Sequence, residues 1–349
     1  MLVNNERPGV YSSISVSGAL KGTGTGRSVG VAAIALSGEK GRCYRIDSYG
    51  EAVSQFGSGS SLTELIRILV TNGASDIRAV PVAVNTAATA ADYQAAFGVL
   101  MTLPEVSLMV CDSGDTQVHN GMRIAIAGGA EVCKHRIGIV ETGGTTDEAS
   151  QRALALNCER MVLLHAPQGC AQQNRGQLSA AFAGILAIGG DPALPLNGAE
   201  LLETGMTAGV FSDTEINTLV RGGVTPIEVS GGRATVIRAV TTKTQTGGAA
   251  DATWRELSTV LIVDDVIPAI RSDLKLRFPR VKNTAQTRGA IRTQVIIQLE
   301  EKLKRQIIDG YGSVTAQADA DDPTVCRVSF EFSVAHGLNR IYLSANINV

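Results

Sequence analysis

The chain has 349 residues and carries 31 Lys and Arg against 33 Asp and Glu, which leaves a net charge of −2 at pH 7. This length predicts two or three domains, and the balanced charge argues against a general attraction to nucleic acid or to an anionic membrane. Hydrophobic residues make up 44% of the chain but aromatic ones only 4%. A core built mainly from Ala, Val, Ile and Leu suits layered α/β structure.

The cysteines and the N-terminus indicate a cytoplasmic origin. The six cysteines contain no Cys-x-x-Cys pair, and several lie in apolar runs such as Leu108–Cys111, a pattern typical of reduced, buried thiols. The first residues lack the basic and apolar segments of a signal peptide, and no apolar run approaches the ~20 residues of a membrane helix. We therefore expect a soluble protein made in the cytoplasm.

The first 27 residues predict a strand on a tether. Val10–Val16 has high β-propensity and alternates with period two, and it is followed by Gly22, Gly24 and Gly26 in a flexible Gly/Thr stretch. A strand held so loosely has little reason to remain in its own domain.

From Ser28 to about Glu228, apolar strands alternate with amphipathic helices. Ser61 is a predicted N-cap with Glu64 completing a capping box, and Pro81 restricts its strand to an edge or a bulge. The alternation predicts an α/β fold with a mostly parallel sheet of five or six strands, covered on both faces. The predicted strands include Ser28–Leu36, Ile77–Val84, Val106–Cys111, Arg136–Val140 and Met161–His165, and the helices are Leu62–Leu69, Ala90–Met101, Val118–Val132, Thr146–Asn157, Gln177–Ile188 and Asp213–Val220.

A second, α+β domain is predicted from about residue 231. A strand at Ala234–Val240 is followed by a largely helical stretch, Trp254–Phe278, with a kink or a restart at Pro268. A strong helix follows at Ala285–Ile308. Two strictly alternating strands end the chain, at Val325–Val334 and from Ile341 onwards.

The motifs that resemble catalytic or ligand sites are incomplete. The glycines around Gly24 precede a strand and have the wrong spacing for a phosphate loop or a dinucleotide fingerprint. Asp112-Ser113-Gly114 resembles the acid motif of subtilisin-type proteases, and His119 faintly resembles their base. The stretch that would hold the nucleophile has Met206 and Thr207 instead of Ser. The His and Cys residues are isolated, so we expect no catalytic residues, metal or cofactor.

One surface feature stands out, a basic run that contains a single acid, Asp273. A solvated helix face and a docking face for an acidic protein partner are both compatible with it. The run comprises Arg271, Lys275, Arg277, Arg280, Lys282, Arg288 and Arg292.

Several segments together resemble contractile phage tail sheath proteins, most closely the compact sheaths of phages and prophages of Gram-positive bacteria. No single motif is diagnostic, but their order and the two terminal strands are. The resemblance covers essentially the whole length, and the segments are Arg7–Tyr11, Arg233–Thr242, Trp254–Asp265, Lys282–Arg292 and Arg340–Asn346.

The resemblance implies a structural subunit that polymerises helically around a tail tube and contracts to drive the tube through a target envelope. It implies a subtilisin-like but non-proteolytic α/β domain at residues 28–230. An arm and linker (1–27) would precede it, and a tube-facing domain (231–335) and a second arm (336–349) would follow. The implied partners are further copies of the chain, the tube protein, and baseplate and tail terminator proteins, in a virion tail assembled in the host cytoplasm. The alternatives are an α/β hydrolase or nucleotide-binding enzyme, and a tube or baseplate component.

The terminal strands leave two interpretations open. Five residues join Val325–Val334 to the last strand when that strand is taken as Arg340–Asn348, which suits a local hairpin. The resemblance implies instead that arms from neighbouring subunits add strands to a sheet built on Val325–Val334. Under that interpretation the interface residues are Val10, Tyr11, Ile14, Val16, Val328, Phe330, Phe332, Val334, Ile341, Leu343, Ala345 and Ile347. The resemblance separately implies that some residues of the basic run face the tube, and the candidates are Lys275, Arg277, Arg280, Lys282, Arg288 and Arg292.

Overall fold

The structure is a computed structural model that describes residues 26–131, 135–168 and 176–339. The predicted strands at Val10–Val16 and from Ile341 onwards lie outside these residues, as do Cys133 and Cys170. None of the helices described in these ranges is long and apolar enough to cross a membrane.

A nine-stranded sheet organises the first part of the chain, in the order β2-β3-β1-β4-β5-β6-β8-β9-β7. The six strands from β3 to β8 in this order run parallel, whereas β2, β9 and β7 pair antiparallel at the two sides. The strands are β1 (Ser28–Ala35), β2 (Tyr44–Ile46), β3 (Ile77–Val84), β4 (Val106–Cys111), β5 (Ile137–Thr142), β6 (Met161–His165), β7 (Glu200–Leu201), β8 (Thr225–Ser230) and β9 (Arg233–Val236).

Among the described residues, seven helices cover the two faces of this sheet. Buried residues of α1, α2 and α6 form the core on one face, and those of α3, α4, α5 and α7 form the core on the other. Burial on both faces explains why the parallel strands are almost wholly apolar. The helices are α1 (Tyr49–Phe56), α2 (Ser61–Thr71), α3 (Ala90–Thr102), α4 (Thr116–Glu131), α5 (Thr146–Leu156), α6 (Gln177–Ala187) and α7 (Asp213–Arg221).

Pro81 lies at a position of β3 where its missing N–H does not interrupt regular strand pairing. The short strand β2 pairs with β3 only as far as Ala79. On the other side, Pro81 is opposite Ala33 at a register shift between β1 and β3. The predicted restriction of this proline to an edge or a bulge is therefore confirmed.

The second part of the chain is a helical hairpin packed on a two-stranded sheet. Helices α8 (Leu257–Arg277) and α9 (Ala285–Lys304) precede the antiparallel strands β12 (Ile308–Ala318) and β13 (Cys326–Val334). A small hairpin, β10 (Gln245–Thr246) and β11 (Ala249–Ala250), comes before them. The first turn of α8 joins the core of the large sheet, while Ile262, Val266 and Ile270 join the core of the second part. Helix α8 is thus shared by both cores.

Several predicted boundaries are wrong. The N-cap of α2 is Ser60, which accepts a hydrogen bond from the Thr63 N–H, and not Ser61. Helix α9 ends at Lys304, so Ile308 begins a strand and does not close the helix. The strand predicted at Ala234–Val240 is shorter, and it pairs with β8 in the large sheet across a turn at Gly231. Pro268 lies inside one continuous helix, which does not restart there.

Candidate assembly surfaces

Asp112 cross-links the ends of neighbouring elements. Its Oδ2 accepts a hydrogen bond from the Ile34 N–H at 3.0 Å, and its Oδ1 accepts one from the Tyr93 hydroxyl. Burial, together with this carboxylate, raises the pKa of Tyr93. The carboxylate therefore joins β1 and α3 to the end of β4, a structural role that accounts for both of its oxygens.

His119 is not arranged as a catalytic base. The side chain is buried in α4, and its Nε2 donates a hydrogen bond to the Ser113 carbonyl at 2.8 Å. A carbonyl only accepts, so this nitrogen carries the proton. Met206 packs against the core of the large sheet, and Thr207 is exposed.

Other polar groups at the carboxyl ends of the parallel strands are also committed to the fold. Glu141 accepts hydrogen bonds from the backbone of Gly176 and Ser179 at the start of α6, at 2.6 and 3.1 Å. His165 donates from Nδ1 to the Thr142 carbonyl at 3.0 Å, and burial lowers its pKa. Burial also raises the pKa of Cys111 to about 12, so this thiol stays protonated and is a poor nucleophile. No group of three or more metal-ligating side chains occurs within 26–131, 135–168 and 176–339.

We expect no hydrolytic activity from the purified chain. Asp112 and His119 form hydrogen bonds with the surrounding fold, so no nucleophile is activated. Incubation with a fluorescent casein and with p-nitrophenyl acetate should give the rates of buffer alone for the wild type and for Asp112→Ala. Reproducible hydrolysis that disappears in Asp112→Ala would contradict this prediction.

Strand β13 of the C-terminal sheet has a core face and a solvent face. Along β13, alternate residues are half-buried or exposed, as the sequence predicts. The half-buried set packs on the core formed with α8 and α9, and the rings of Phe330 and Phe332 stack with centroids 6.3 Å apart. The packed residues of the predicted interface are Val328, Phe330, Phe332 and Val334. Their side chains pack on the core of their own chain and remain half-buried, so only part of their surface is available to another subunit.

Both backbone edges of this sheet are open within the described ranges. Strand β13 pairs with β12 over the whole of its length, from Val334 opposite Ile308 to Cys326 opposite Ala318. No other strand of residues 26–131, 135–168 and 176–339 pairs with either of them. Unpaired strand edges are templates for a further strand. In the structure β13 pairs with β12, a pairing that the sequence did not predict. The last strand lies outside the described residues, so its pairing with β13, within one chain or between subunits, stays a prediction.

The structure brings the basic residues together at the tip of the α8–α9 hairpin. Lys275 and Arg277 end α8, Arg280 and Lys282 lie in the connecting loop, and two further arginines lie in the first turns of α9. We call this set, Lys275, Arg277, Arg280, Lys282, Arg288 and Arg292, the basic tip.

Half of the basic tip is occupied by bonds within the chain. Arg277 pairs with Asp273 at 2.8 Å and thereby lowers the pKa of that carboxyl. Arg288 donates to the backbone and side-chain oxygens of Asn283, and Arg292 donates to the Val314 carbonyl at 2.7 Å. These three arginines already have partners within the chain, although Arg277 and Arg292 remain exposed, and their predicted contact with the tube stays a prediction.

The other half of the basic tip is free to meet a partner. Lys275, Arg280 and Lys282 are exposed and form no side-chain hydrogen bond or ion pair with the described residues. Two apolar side chains that the sequence did not single out lie among them: Leu276 is 80% exposed and Val281 is 52% exposed. Exposed apolar residues surrounded by charge are typical of protein-contact surfaces.

The comparisons with known proteins converge on one family. A family model for the phage tail sheath C-terminal domain matches residues 249–348. No curated protein matches the sequence.

Solved structures match nearly the whole chain at low sequence identity. A chain in the baseplate of the anti-feeding prophage has a TM-score of 0.75 at 15% identity, with 99% of this chain and 100% of that chain covered. The contracted helical sheath of the same prophage gives 0.70 at 15% identity, with 99% and 100% covered. The sheath tail protein DSY3957 of Desulfitobacterium hafniense gives 0.70 at 12% identity, with 93% and 100% covered.

At these identities the matches to solved structures establish the fold, a mixed α/β architecture with a large parallel-dominated sheet and a smaller C-terminal sheet. The family match adds sequence evidence for the segment that contains α8, α9, β12 and β13. Residues 249–348 thus match the phage tail sheath C-terminal domain, and the whole chain shares the fold of solved sheath proteins, in agreement with the predicted resemblance to contractile tail sheath proteins.

Proposed function

We propose that the chain polymerises with copies of itself into a helical sheath around a tail tube, and that contraction of this sheath drives the tube through a target envelope. The sheath-domain match over residues 249–348 carries this proposal. Contacts between identical subunits that repeat head to tail generate open helical polymers. The work is mechanical, so it needs neither a catalytic residue nor a cofactor, and the hydrolase alternative is not favoured because Asp112 and His119 stabilise the fold.

The open edges of the C-terminal sheet support strand exchange. The β12–β13 sheet covers its core incompletely, since Phe330 and Phe332 are only half-buried. Strands from other subunits, carrying Val10, Ile14 and Val16 or Ile341, Leu343 and Ile347, would pair with the open edges. Their apolar side chains would then extend the cover of the core.

This arrangement links subunits without fixing their relative orientation. The exchanged strands would remain paired, and the predicted links at Gly18–Gly26 and His336–Asn339 would act as hinges. Residues 1–27 and 336–349 would serve as arms, residues 28–230 as a subtilisin-like α/β body, and residues 231–335 as the domain nearest the tube. The assembled product would be part of a tail built in the host cytoplasm and joined to baseplate and terminator proteins.

The free half of the basic tip is the proposed contact with the tube. Exposed ion pairs contribute only about 0–1 kcal/mol each and are weakened by salt. Many such contacts along a tail would hold the sheath on the tube, yet no single contact would prevent sliding. Leu276 and Val281 would add apolar area to each contact.

Charge reversal of Lys275, Arg280 and Lys282 to Glu should abolish co-sedimentation with the tube protein at low salt. Thermal unfolding should stay unchanged, because these residues form no bonds with the described part of the chain. Arg288 and Arg292 are unsuitable targets since they bond to Asn283 and Val314.

A triple reversal of the exposed residues Arg42, Arg221 and Arg233 serves as the matched control and should co-sediment like the wild type. Wild-type co-sedimentation should fall as NaCl is raised. Undiminished binding of the basic-tip variant at both low and high salt would contradict the proposed tube contact.

A further inference from the structure

A cavity of about 620 Å³ lies where the two parts of the chain meet. It opens at the amino ends of β4 and β5, between the residue that precedes β1 and the middle of α8. Its wall includes Gly189 and Gly190, which project no side chains into the space. The charged or titratable residues that line it are Arg27, His135, Arg136, Asp264, Asp265 and Arg305.

The two acids of the cavity are already neutralised by cations that do not line it. Asp264 accepts two hydrogen bonds of 2.8 Å from the buried Arg160 guanidinium. Asp265 accepts one of 2.6 Å from the buried Lys302 ammonium. Neither carboxylate is therefore left to balance the arginines of the lining.

Two of those arginines have no carboxylate partner of their own. Arg27 is half-buried and donates from Nη1 to the Leu186 carbonyl at 3.2 Å, while Arg305 is exposed at the rim. Neither forms an ion pair with any residue of 26–131, 135–168 and 176–339. Arg136, which is 1% exposed, also lines the cavity, but its Nη2 already donates to the carbonyls of Met101 and Leu103.

The direction of the pKa shift of Arg27 agrees with a cavity that is rich in unpaired positive charge. Burial lowers the pKa of Arg27, and the nearby Asp264 and Asp265 only partly oppose that effect. A guanidinium charge that is partly taken out of water without an ion-pair partner, as that of Arg27 is, is costly, so an anion that enters the cavity would be stabilised.

We propose that this cavity binds a multivalent phosphate anion, with Arg27 and Arg305 as its principal ligands. The planar guanidinium pairs with phosphate oxygens through two parallel hydrogen bonds, and the volume is ordinary for a small-molecule site. The bound anion would connect the start of β1 with the α8–α9 hairpin. This site does not depend on the proposed sheath function.

Isothermal titration of the full-length chain with inorganic pyrophosphate, at constant ionic strength, tests the proposal. We expect saturable binding of one pyrophosphate per subunit and an unfolding temperature that rises with its concentration. Arg27→Gln/Arg305→Gln should weaken the affinity at least tenfold. The single variant Arg305→Gln should also weaken it, and it keeps the test valid if the double variant is unstable.

Lys275→Gln/Lys282→Gln is the matched control, because it removes two positive charges from the basic tip and leaves the cavity intact. Its affinity should equal that of the wild type. The proposal is overturned by an absence of saturable binding, by equal affinity in the Arg305→Gln variant, or by loss of binding in the Lys275→Gln/Lys282→Gln control.

Discussion

Deletion of residues 1–17, or of residues 340–349, is expected to leave a folded chain that does not form tubes. Each deletion removes a predicted exchange strand and no described residue. The β12–β13 edges would then lack the strands that satisfy their backbone N–H and C=O groups between subunits. Size-exclusion chromatography and thermal unfolding would report a folded monomer, and electron microscopy would report the absence of tubes.

A pair of point variants separates strand addition from a general effect of truncation. Ile14→Asp places a charge on the predicted apolar face of the N-terminal strand and should prevent tube formation. Ser13→Asp places the same charge on the opposite face and should permit it. Normal tubes from either truncated chain, or unfolding of the domain that carried the deleted strand, would contradict strand exchange.

Asp264→Ala is expected to destabilise the chain by about 3–5 kcal/mol, the usual cost of leaving one member of a buried ion pair without its partner. Arg160 and Asp264 have side chains only 9% and 18% exposed. Their pair joins the start of β6 to α8, the helix shared by the two cores. Chemical denaturation monitored by circular dichroism measures the loss.

Two controls accompany this variant. Asp47→Ala removes an exposed partner of Arg45 and should change stability by no more than about 0.5 kcal/mol. Arg160→Met/Asp264→Leu replaces the pair by apolar side chains and should recover most of the stability. If Asp264→Ala lowers the free energy of unfolding no more than Asp47→Ala does, the Arg160–Asp264 pair does not hold α8 to the large sheet.

The parallel core is the most predictable part of the fold. Strands β4 and β6 match their predicted bounds because each is an apolar run with polar or turn-forming residues at its ends. Short elements at the sheet edges were missed, since β2 has three residues and β7 only two. Such segments form because a neighbouring strand pairs with them, which no local pattern records.

Of the two strands of the C-terminal sheet, the sequence predicts β13 but not β12. Gly310 and Gly312 weaken its β-propensity, and two register shifts against β13 break the alternation. The end of α9 was misplaced for a related reason. Ile307 continues the four-residue spacing of buried residues, yet the backbone has already left the helix at Gln306, whose φ is +58°. The Ile307 side chain packs in the same core as the buried residues of α9, but it does so from the turn that follows the helix.

The basic tip was predicted as a set, but its division into bound and free residues depends on tertiary contacts. Arg292 reaches a carbonyl of β12 that lies 22 residues further along the chain. The Arg160–Asp264 pair spans 104 residues and leaves no local signal in the sequence. Sequence patterns identify charged segments, whereas only the packed structure decides which charges remain available to a partner.

Electron microscopy of the purified full-length chain tests the central claim most directly. A sheath subunit that polymerises through its own arms should form hollow tubes of uniform diameter without other proteins. With tube protein present, it should form longer, narrower particles that shorten and widen on contraction. Monodisperse monomers under all conditions, with no tubes even at high protein concentration, would contradict the account.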